Sequence, residues 1–504
     1  MTRFVSLARL RSKAAGLISK PALRQITPGA SPDISFCASP PLAEDALSID
    51  PDKVFSPDAA LIESYTRFDP ADHANIEHQT AEKLLYRGIP YSRYLDEWQF
   101  HPGRIGSYLV TQRMAEVVRL ARALQDFFVE LPNGGLALYY PNTIQTARLQ
   151  SNEYIYSGIA QGQLLAGYTR LILRDRERAP LWRDLAARIA ESMRFPFEDG
   201  GVCLDGQVIL EAPNFRSCPE IILNGWTDAL IHLHDYLQVA PDKDIEGFYL
   251  RNLDALAALL TTFDDPGAQL SRYSNLCPYV FCAQYERPQR ASAAPRVIVE
   301  YLPAKPGYRA YRIEELWKLE ARKPCLYDNR IEAVRSSSVD LRLSVSSLHD
   351  LRFHIAAPCS RVSFDPGTYD NTSTVPKKTM TSRSVAPIAR SDDGFTTFHI
   401  NAAAQGLLAG CPTNFMKHGK ENFYHPYHIV ALYELALSTP LPPQRKALAE
   451  MASLWLGYME SDAHKRLGDR IVFASLEGFV RKMNRFRAIP SVQSFKELRE
   501  RATS

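Results

Sequence analysis

Ile155-Tyr156-Ser157-Gly158-Ile159-Ala160-Gln161-Gly162-Gln163-Leu164-Leu165 is the stretch whose reading decides the fold. Small and amide residues open an otherwise ordinary apolar helix. Ser157 and Gly158 let backbone approach closely, and the amides of Gln161 and Gln163 can face a polar cavity. The helix runs over 155–174. Around it, apolar residues recur at helical spacing over 110–129, 180–194, 221–237 and 248–263. The loops between carry glycine and polar residues, as at Asn133-Gly134-Gly135 and Asp199-Gly200-Gly201. Successive helices joined by polar loops predict an α/α toroid with a cleft at its open end.

From about 290 to 405 the period changes. Short alternating runs appear at 296–301, 308–313, 341–345, 352–355 and 395–400, which predict β-strands with one wet face. Residues 286–390 hold 18 basic and 11 acidic side chains, a local charge of +7 that suits a polyanion. Helical spacing returns at 428–437 and 445–459, and a basic, helix-rich tail follows from about 462. The expected fold is therefore α+β and multidomain. An extended arm occupies 1–60, the first part of the toroid 61–285, an inserted antiparallel β-sandwich-like domain 286–410, and the last toroid helices with the tail 411–504.

The 504 residues carry a net charge of +3, which gives no global nucleic-acid signature. No apolar run approaches the ~18 residues a membrane span needs. Cys37, Cys203, Cys218, Cys277, Cys282, Cys325, Cys359 and Cys411 are scattered and lack zinc spacing. They read as free thiols of a cytoplasmic, reducing compartment. Arg3, Arg9, Arg11, Lys13, Lys20 and Arg24 all precede the first acid, Asp33. That segment reads as a flexible basic tail, with contact to a membrane surface or an anionic polymer as the sharper alternative.

Chemistry concentrates in a few clusters. There is no P-loop, no dinucleotide fingerprint and no Gly-x-Ser-x-Gly elbow. The histidines lack a third ligand at zinc spacing, so neither a metal nor a cofactor is expected. Phe423-Tyr424-His425-Pro426-Tyr427-His428 stands where a helix begins. A helix N-terminus offers free N–H groups and a positive dipole end, which suit a sugar carboxylate. Glu211 precedes Ala212-Pro213 in a loop, where partial burial can hold it as an acid or a hydrogen-bond anchor. Asn224-Gly225-Trp226 reads as a sugar platform, Trp226 stacking and Asn224 binding hydroxyls. Tyr273 lies in a polar loop, Ser271 to Leu276.

In order along the chain, these clusters resemble the D-glucuronyl C5-epimerases, over roughly 85–280 and 420–465. The family's Ser-Gly-Met-Ala-Gln-Gly-Gln stands here as Ser157 to Gln163. Its Gly-Gly-Val is Gly200-Gly201-Val202, and its Glu-Glu-Tyr-Pro with Leu-Asn-Gly is Leu210-Glu211-Ala212-Pro213 with Leu223-Asn224-Gly225. Its Tyr-His-x-x-His-Ile is Tyr424 to Ile429, and its Trp-x-x-Tyr is Trp455 to Tyr458. Besides Ser274-Asn275-Leu276, which follows Tyr273 where the family tyrosine has Asp-Leu after it, two features depart from the family. Ala212 holds the place of one family tyrosine, and the β region lies inside the helical array rather than before it.

The resemblance implies abstraction of the C5 proton of a uronic acid and its return from the opposite face. It implies catalytic roles for Tyr424, Tyr273, Glu211 and His425. Substrate binding falls to Gln161, Asn224, Trp226, His428 and Arg216. The implied partner is an anionic glycan or uronate-containing glycoconjugate. The residues leave two alternatives open: a uronate lyase acting by β-elimination, and a glycan-binding protein without catalysis.

Overall fold

The computed structural model describes residues 42–504 except 44, 49–53, 81–82, 95–96, 142–153, 216, 268, 290–293, 305–307, 315, 319–328, 367–382, 402–406, 408–415, 418–420 and 462–471. The basic N-terminus and Arg216 thus lie outside the described residues. Helix and strand both contribute, so the chain is α+β. Helix α1 is Ala59–Thr66, followed by α2 (Pro102–Thr111), α3 (Met114–Ala123), α4 (Gly158–Arg174) and α5 (Ala179–Ser192). Next come α6 (Leu223–Val239) and α7 (Lys243–Leu259), and after the sheets α8 (Tyr424–Ser438) and α9 (Pro442–Glu460). Helices Leu476–Phe486 and Phe495–Thr503 end the chain.

The helices pack in a sequential circuit. α4 lies against α2 and α6, α6 against α8, and Leu476–Phe486 touches both α8 and α2. Each of α3, α5, α7 and α9 packs on the helix before it. The stretch that opens α4 explains how close the inner helices come. A Cβ on Gly162 would stand 2.9 Å from the Ala229 Cα of α6, and one on Gly106 of α2 would stand 2.5 Å from the Gln163 carbonyl carbon of α4. Only glycine fits between backbones at that distance. Behind these contacts Leu164, Leu165, Tyr168 and Leu171 are fully buried.

Two six-stranded sheets are built from strands between α7 and α8 in sequence, with one edge strand supplied by the arm. One runs in the order Leu47–Ser48, Tyr311–Ile313, Val297–Pro303, His349–Ile355, Thr396–Ile400, Ala389–Arg390. The other runs Trp317–Lys318, Arg330–Val334, Ser338–Ser346, Leu276–Tyr285, Cys359–Pro366, Arg383–Val385. Central pairings are antiparallel. The sheets meet through Phe281 and Phe353, whose ring centroids are 5.6 Å apart, and through the Tyr301 hydroxyl, which donates to the Ser344 carbonyl at 2.8 Å.

The alternating runs read from sequence are strands here, but β structure begins earlier, at Leu276. Leu276–Tyr285 is too evenly apolar to show a period of two, because both its faces are largely buried. Pro278 is tolerated because it falls just before the stretch paired with Cys359–Pro366. The helical reading from about 75 also needs correction. Ile76–Gln79, Lys83–Tyr86, Ile89–Tyr94 and Glu97–Phe100 form a four-stranded antiparallel sheet. Arg87 and Gly88, with φ of 52° and 75°, make the tight turn between its middle strands. The run at 110–129 is likewise two helices, broken at Gln112-Arg113.

Where it is described, the arm holds to both parts of the fold. Ala43 N–H donates to the buried Glu300 carboxylate at 2.8 Å, Leu47–Ser48 pairs in parallel with Tyr311–Arg312, and Phe55 N–H donates to the Asp199 carbonyl at 2.7 Å. Cys203, Cys218, Cys282 and Cys359 are free thiols. Cys277 is disulfide-bonded, with its partner outside the described residues, so the free-thiol expectation fails for that residue. Among the described residues no helix is long and apolar enough to cross a membrane.

Candidate functional site

The N-termini of α2, α4, α6 and α8 are tied together by the loops that precede them. Gly158 N–H at the start of α4 donates to the Leu210 carbonyl at 3.1 Å, and Leu223 N–H at the start of α6 donates to the Tyr273 carbonyl at 3.0 Å. The Tyr273 ring meets that of Tyr424, the first residue of α8, edge to face at 4.5 Å. None of these four helices has an acid in its first turn. The same holds of α1, α5 and α9, whereas α3, α7 and the last two helices do carry one. Four positive dipole ends therefore face one mouth without an acidic side chain of their own to offset them.

Glu211 is the carboxylate in this mouth. It lies on the first turn of α6, where a Cβ on Gly225 would come within 2.5 Å of its Cβ and its carboxylate oxygen. Asn224 Nδ2 donates to Glu211 Oε2 at 3.1 Å, and the Tyr273 hydroxyl donates to Oε1 at 3.3 Å. Glu211 and Tyr424 are half-buried, whereas Asn224 and Tyr273 are buried. The Asn224 Oδ1 is buried and has no hydrogen-bond partner among the described residues.

Two further groups belong to the mouth although the sequence reading did not select them. Tyr140 sits with its ring edge-on to His101 at 5.2 Å, beside the starts of α2 and α4. Burial raises its phenol, and the Glu211 charge raises it further. The Gly103 N–H, the Ser157 hydroxyl and the Arg104 charge act in the other direction. One turn further along α6, Asp228 accepts from the Tyr427 hydroxyl at 3.0 Å and from Gln163 Nε2 at 3.2 Å, with His232 Nε2 at 3.5 Å. Burial works against the Asp228 charge, but His232, Tyr427 and Gln163 outweigh it and hold the carboxyl below its ordinary range. Burial and the charge of Asp228 push the Tyr427 phenol well up. The signal in sequence was slight: Tyr140 precedes Pro141 in a loop, and Asp228 sits one turn beyond Asn224.

Of the residues selected from sequence, the fold brings Glu211, Asn224, Tyr273 and Tyr424 together. Gln161 is elsewhere: fully buried, it donates to the Leu136 carbonyl and the Ser192 hydroxyl, each at 2.7 Å, and accepts from Leu138 N–H. It fastens α4 to its neighbours, and Gln163 is the amide that faces inward. Trp226 is also core, fully buried with its indole N–H on Asn252 Oδ1 of α7 at 2.9 Å, so it offers no face for a sugar.

His425 has both ring nitrogens engaged. Nδ1 accepts from the Ser271 N–H at 2.8 Å, and Nε2 faces the Trp455 carbonyl at 3.0 Å. That fixes the tautomer and makes it an anchor rather than a proton carrier. His428 is fully buried behind Tyr424, stacked at 6.3 Å, with Nδ1 on the Ser271 hydroxyl at 2.8 Å. Burial, with His425 adjacent, keeps it well below its usual pKa and thus neutral. Arg216 lies outside the described residues.

No protein-family model matches this chain, and no curated protein matches it.

Proposed function

We propose that the helices form an incomplete α/α toroid with the paired sheets as an inserted β-sandwich. In this reading the mouth at Glu211 acts on a uronic acid residue of an anionic glycan, epimerising C5. One observation carries it: Tyr273 donates to Glu211 at 3.3 Å, at the meeting point of four helix N-termini free of first-turn acids. The C5 hydrogen of a uronate is a weak acid, α to a carboxylate. Its removal builds negative charge on that carboxylate, and converging N–H dipoles lower the energy of such an enolate-like state. A phenol already bonded to a carboxylate can pass its own proton there as it takes the one from carbon. Tyr424, edge-on to Tyr273, lines the same side. Asn224 Oδ1 is the acceptor for a sugar hydroxyl.

A second reading, β-elimination, is favoured by one specific contact. Tyr273 and Tyr424 touch at 4.5 Å, so both phenols lie on one side of a bound sugar. That arrangement suits taking the C5 proton and protonating the C4 leaving oxygen from the same face. A glycan-binding protein without chemistry is the third reading, and the methyl group of Ala212 in place of the family tyrosine is what favours it.

Incubation with a panel of uronate polymers in heavy water separates the three. Epimerisation gives C5 deuterium and a second epimer by NMR. Elimination gives the ultraviolet absorbance of an unsaturated uronate. Binding alone gives neither, and absence of both products across the panel would overturn the catalytic reading.

A further inference from the structure

Resting on the reading above, we infer that Asp228 selects the sugar, its half-buried carboxylate accepting a hydrogen bond from a free ring hydroxyl of the uronate. Its place follows from helix geometry. Trp226, two residues earlier on α6, points its indole N–H at Asn252 of α7. Two residues turn a helix by about 200°, so Asp228 stands on the face turned away from α7. There it meets both neighbours of α6 in the circuit, Tyr427 of α8 at 3.0 Å and Gln163 of α4 at 3.2 Å. Gln163 brings in α2 as well, because a Cβ on Gly103 would stand 2.9 Å from its Oε1.

Asn224 lies one turn before Asp228 on α6, and Tyr424 lies three residues before Tyr427 on α8. Residues three or four apart share a helix face. Asp228 and Tyr427 therefore follow the Glu211 mouth at a step of about 4.5–6 Å along both helices, which one sugar ring can span. Two turns further on, the next polar pair of the same helices is shut. Asp235 and Glu434 are held by Arg487, and their side chains are 0% and 2% exposed. Asp228 keeps 16%, and Tyr427 and Gln163 are half-buried with it. Asp228 is open where Asp235 is closed.

The partners of Asp228 decide what it takes. Oδ1 holds the Tyr427 phenol, while Oδ2 holds the Gln163 amide and faces His232 Nε2 at 3.5 Å. A carboxylate oxygen accepts two bonds, so Oδ1 has one direction left, enough for a single O–H. Asp228 pairs with no lysine or arginine among the described residues. A ligand carboxylate is repelled there and turns instead to the converging helix N-termini. The same positive helix ends disfavour a cation. A neutral hydroxyl is the group that fits, and in meeting Asp228 it orients the ring with its carboxylate toward the mouth.

The test reads binding as well as turnover. Full-length wild type and Asp228→Asn are titrated by calorimetry with glucuronate oligosaccharides in which each free hydroxyl of the uronate is replaced by hydrogen in turn. Deuterium uptake at C5 is followed by NMR on the same ligands in heavy water. On the wild type, one deoxy ligand is expected to bind about tenfold more weakly than its parent, the loss of a hydrogen bond to a charged acceptor. On Asp228→Asn that deficit should shrink by at least about threefold while those of the other ligands stay, a coupling that a merely structural residue would not give. Equal binding of all deoxy ligands by the wild type, or the same deficits in both proteins, overturns the inference. Should Asp228→Asn fail to fold, Asp228→Glu keeps the charge and moves it by one methylene. It must lose the same discrimination, and keeping it counts against Asp228. A wild type that binds no uronate oligosaccharide defeats the underlying reading and this one with it. Binding with the expected deficits but without C5 deuterium defeats the catalytic reading alone.

Discussion

Two of the carboxylate clusters within the helical part are built on opposite plans. At Arg487 the guanidinium takes Asp235 of α6 through two bonds, at 2.5 and 3.1 Å, and Glu434 of α8 at 2.7 Å. The Ser491 hydroxyl adds 2.6 Å to Glu434, and the Ile489 N–H adds 3.4 Å to Asp235. All three charged side chains are buried, and no side-chain atom of the trio is left without a partner. At Glu211 the carboxylate meets an amide and a phenol, helix ends converge on it, and Asn224 keeps an open acceptor. The first plan fastens the chain segment after Leu476–Phe486 to two inner helices. The second leaves one buried acceptor, Asn224 Oδ1, unused beside a half-buried carboxylate.

The contrast is sharpest where each cluster loses its centre. Arg487→Met strands two buried carboxylates, so unfolding free energy should fall by about 3–5 kcal/mol, read by urea denaturation. Glu211→Gln should leave stability within about 1 kcal/mol of wild type, since the shape is kept and the Asn224 amide and Tyr273 phenol can still donate to the side-chain oxygen. Equal losses in the two variants would erase the distinction.

Next in size comes Tyr424→Phe. The ring that packs on Tyr273 and His428 stays, while the hydroxyl goes, so turnover on a responsive glycan should drop by about 10²–10⁴-fold with an unchanged melt. Full activity would remove Tyr424 from the chemistry.

Gly225→Ala tests the mouth from the backbone side. Its new methyl would stand 2.5 Å from the Glu211 carboxylate and must displace it. Activity should fall by at least about tenfold, because a misplacement near 1 Å is costly in an oriented site. Far less should happen at Gly134, where nothing lies within 4 Å of a new Cβ, beyond the strain of its φ of 80°.

The smallest effect is on the pH dependence of stability. His349 is buried between the sheets and the loop at Cys218, its Nε2 on the Arg309 carbonyl at 3.0 Å, and burial lowers its pKa to about 4. The folded form therefore resists protonation relative to an unfolded histidine near 6.5. Its contribution is intact above about pH 6.5 and is lost as pH falls toward 4, at no more than about 1.4 kcal/mol per pH unit. Thermal melts across that window should slope less in His349→Gln than in wild type. Equal slopes would assign the acid sensitivity elsewhere.

Much of this was legible in the chain. The small residues of Ser157 to Gly162 announced close helix contacts, and the alternation near 297–301 and 351–355 announced strands. What was not legible has physical reasons. Which side of a helix stays open depends on neighbours far away in sequence, so Gln161 and Trp226 looked available until α5 and α7 took them. The hairpin at Arg87-Gly88 lacks the usual Asn-Gly or Asp-Gly signal. His425 looked reactive because the Ser271 backbone that occupies it lies 154 residues away. Tyr140 gave no signal of its own, because its contacts, His101 and Ile155, belong to the starts of α2 and α4.

The central claim is that Glu211 and the phenols around it move a proton at C5 of a uronate. Deuterium incorporation at C5, followed by NMR for wild type and Glu211→Gln on the same uronate polymer, tests it most directly. The account predicts incorporation by the wild type and its loss in Glu211→Gln with an unchanged melt. Undiminished incorporation in Glu211→Gln, or none in the wild type on any uronate polymer, would contradict it.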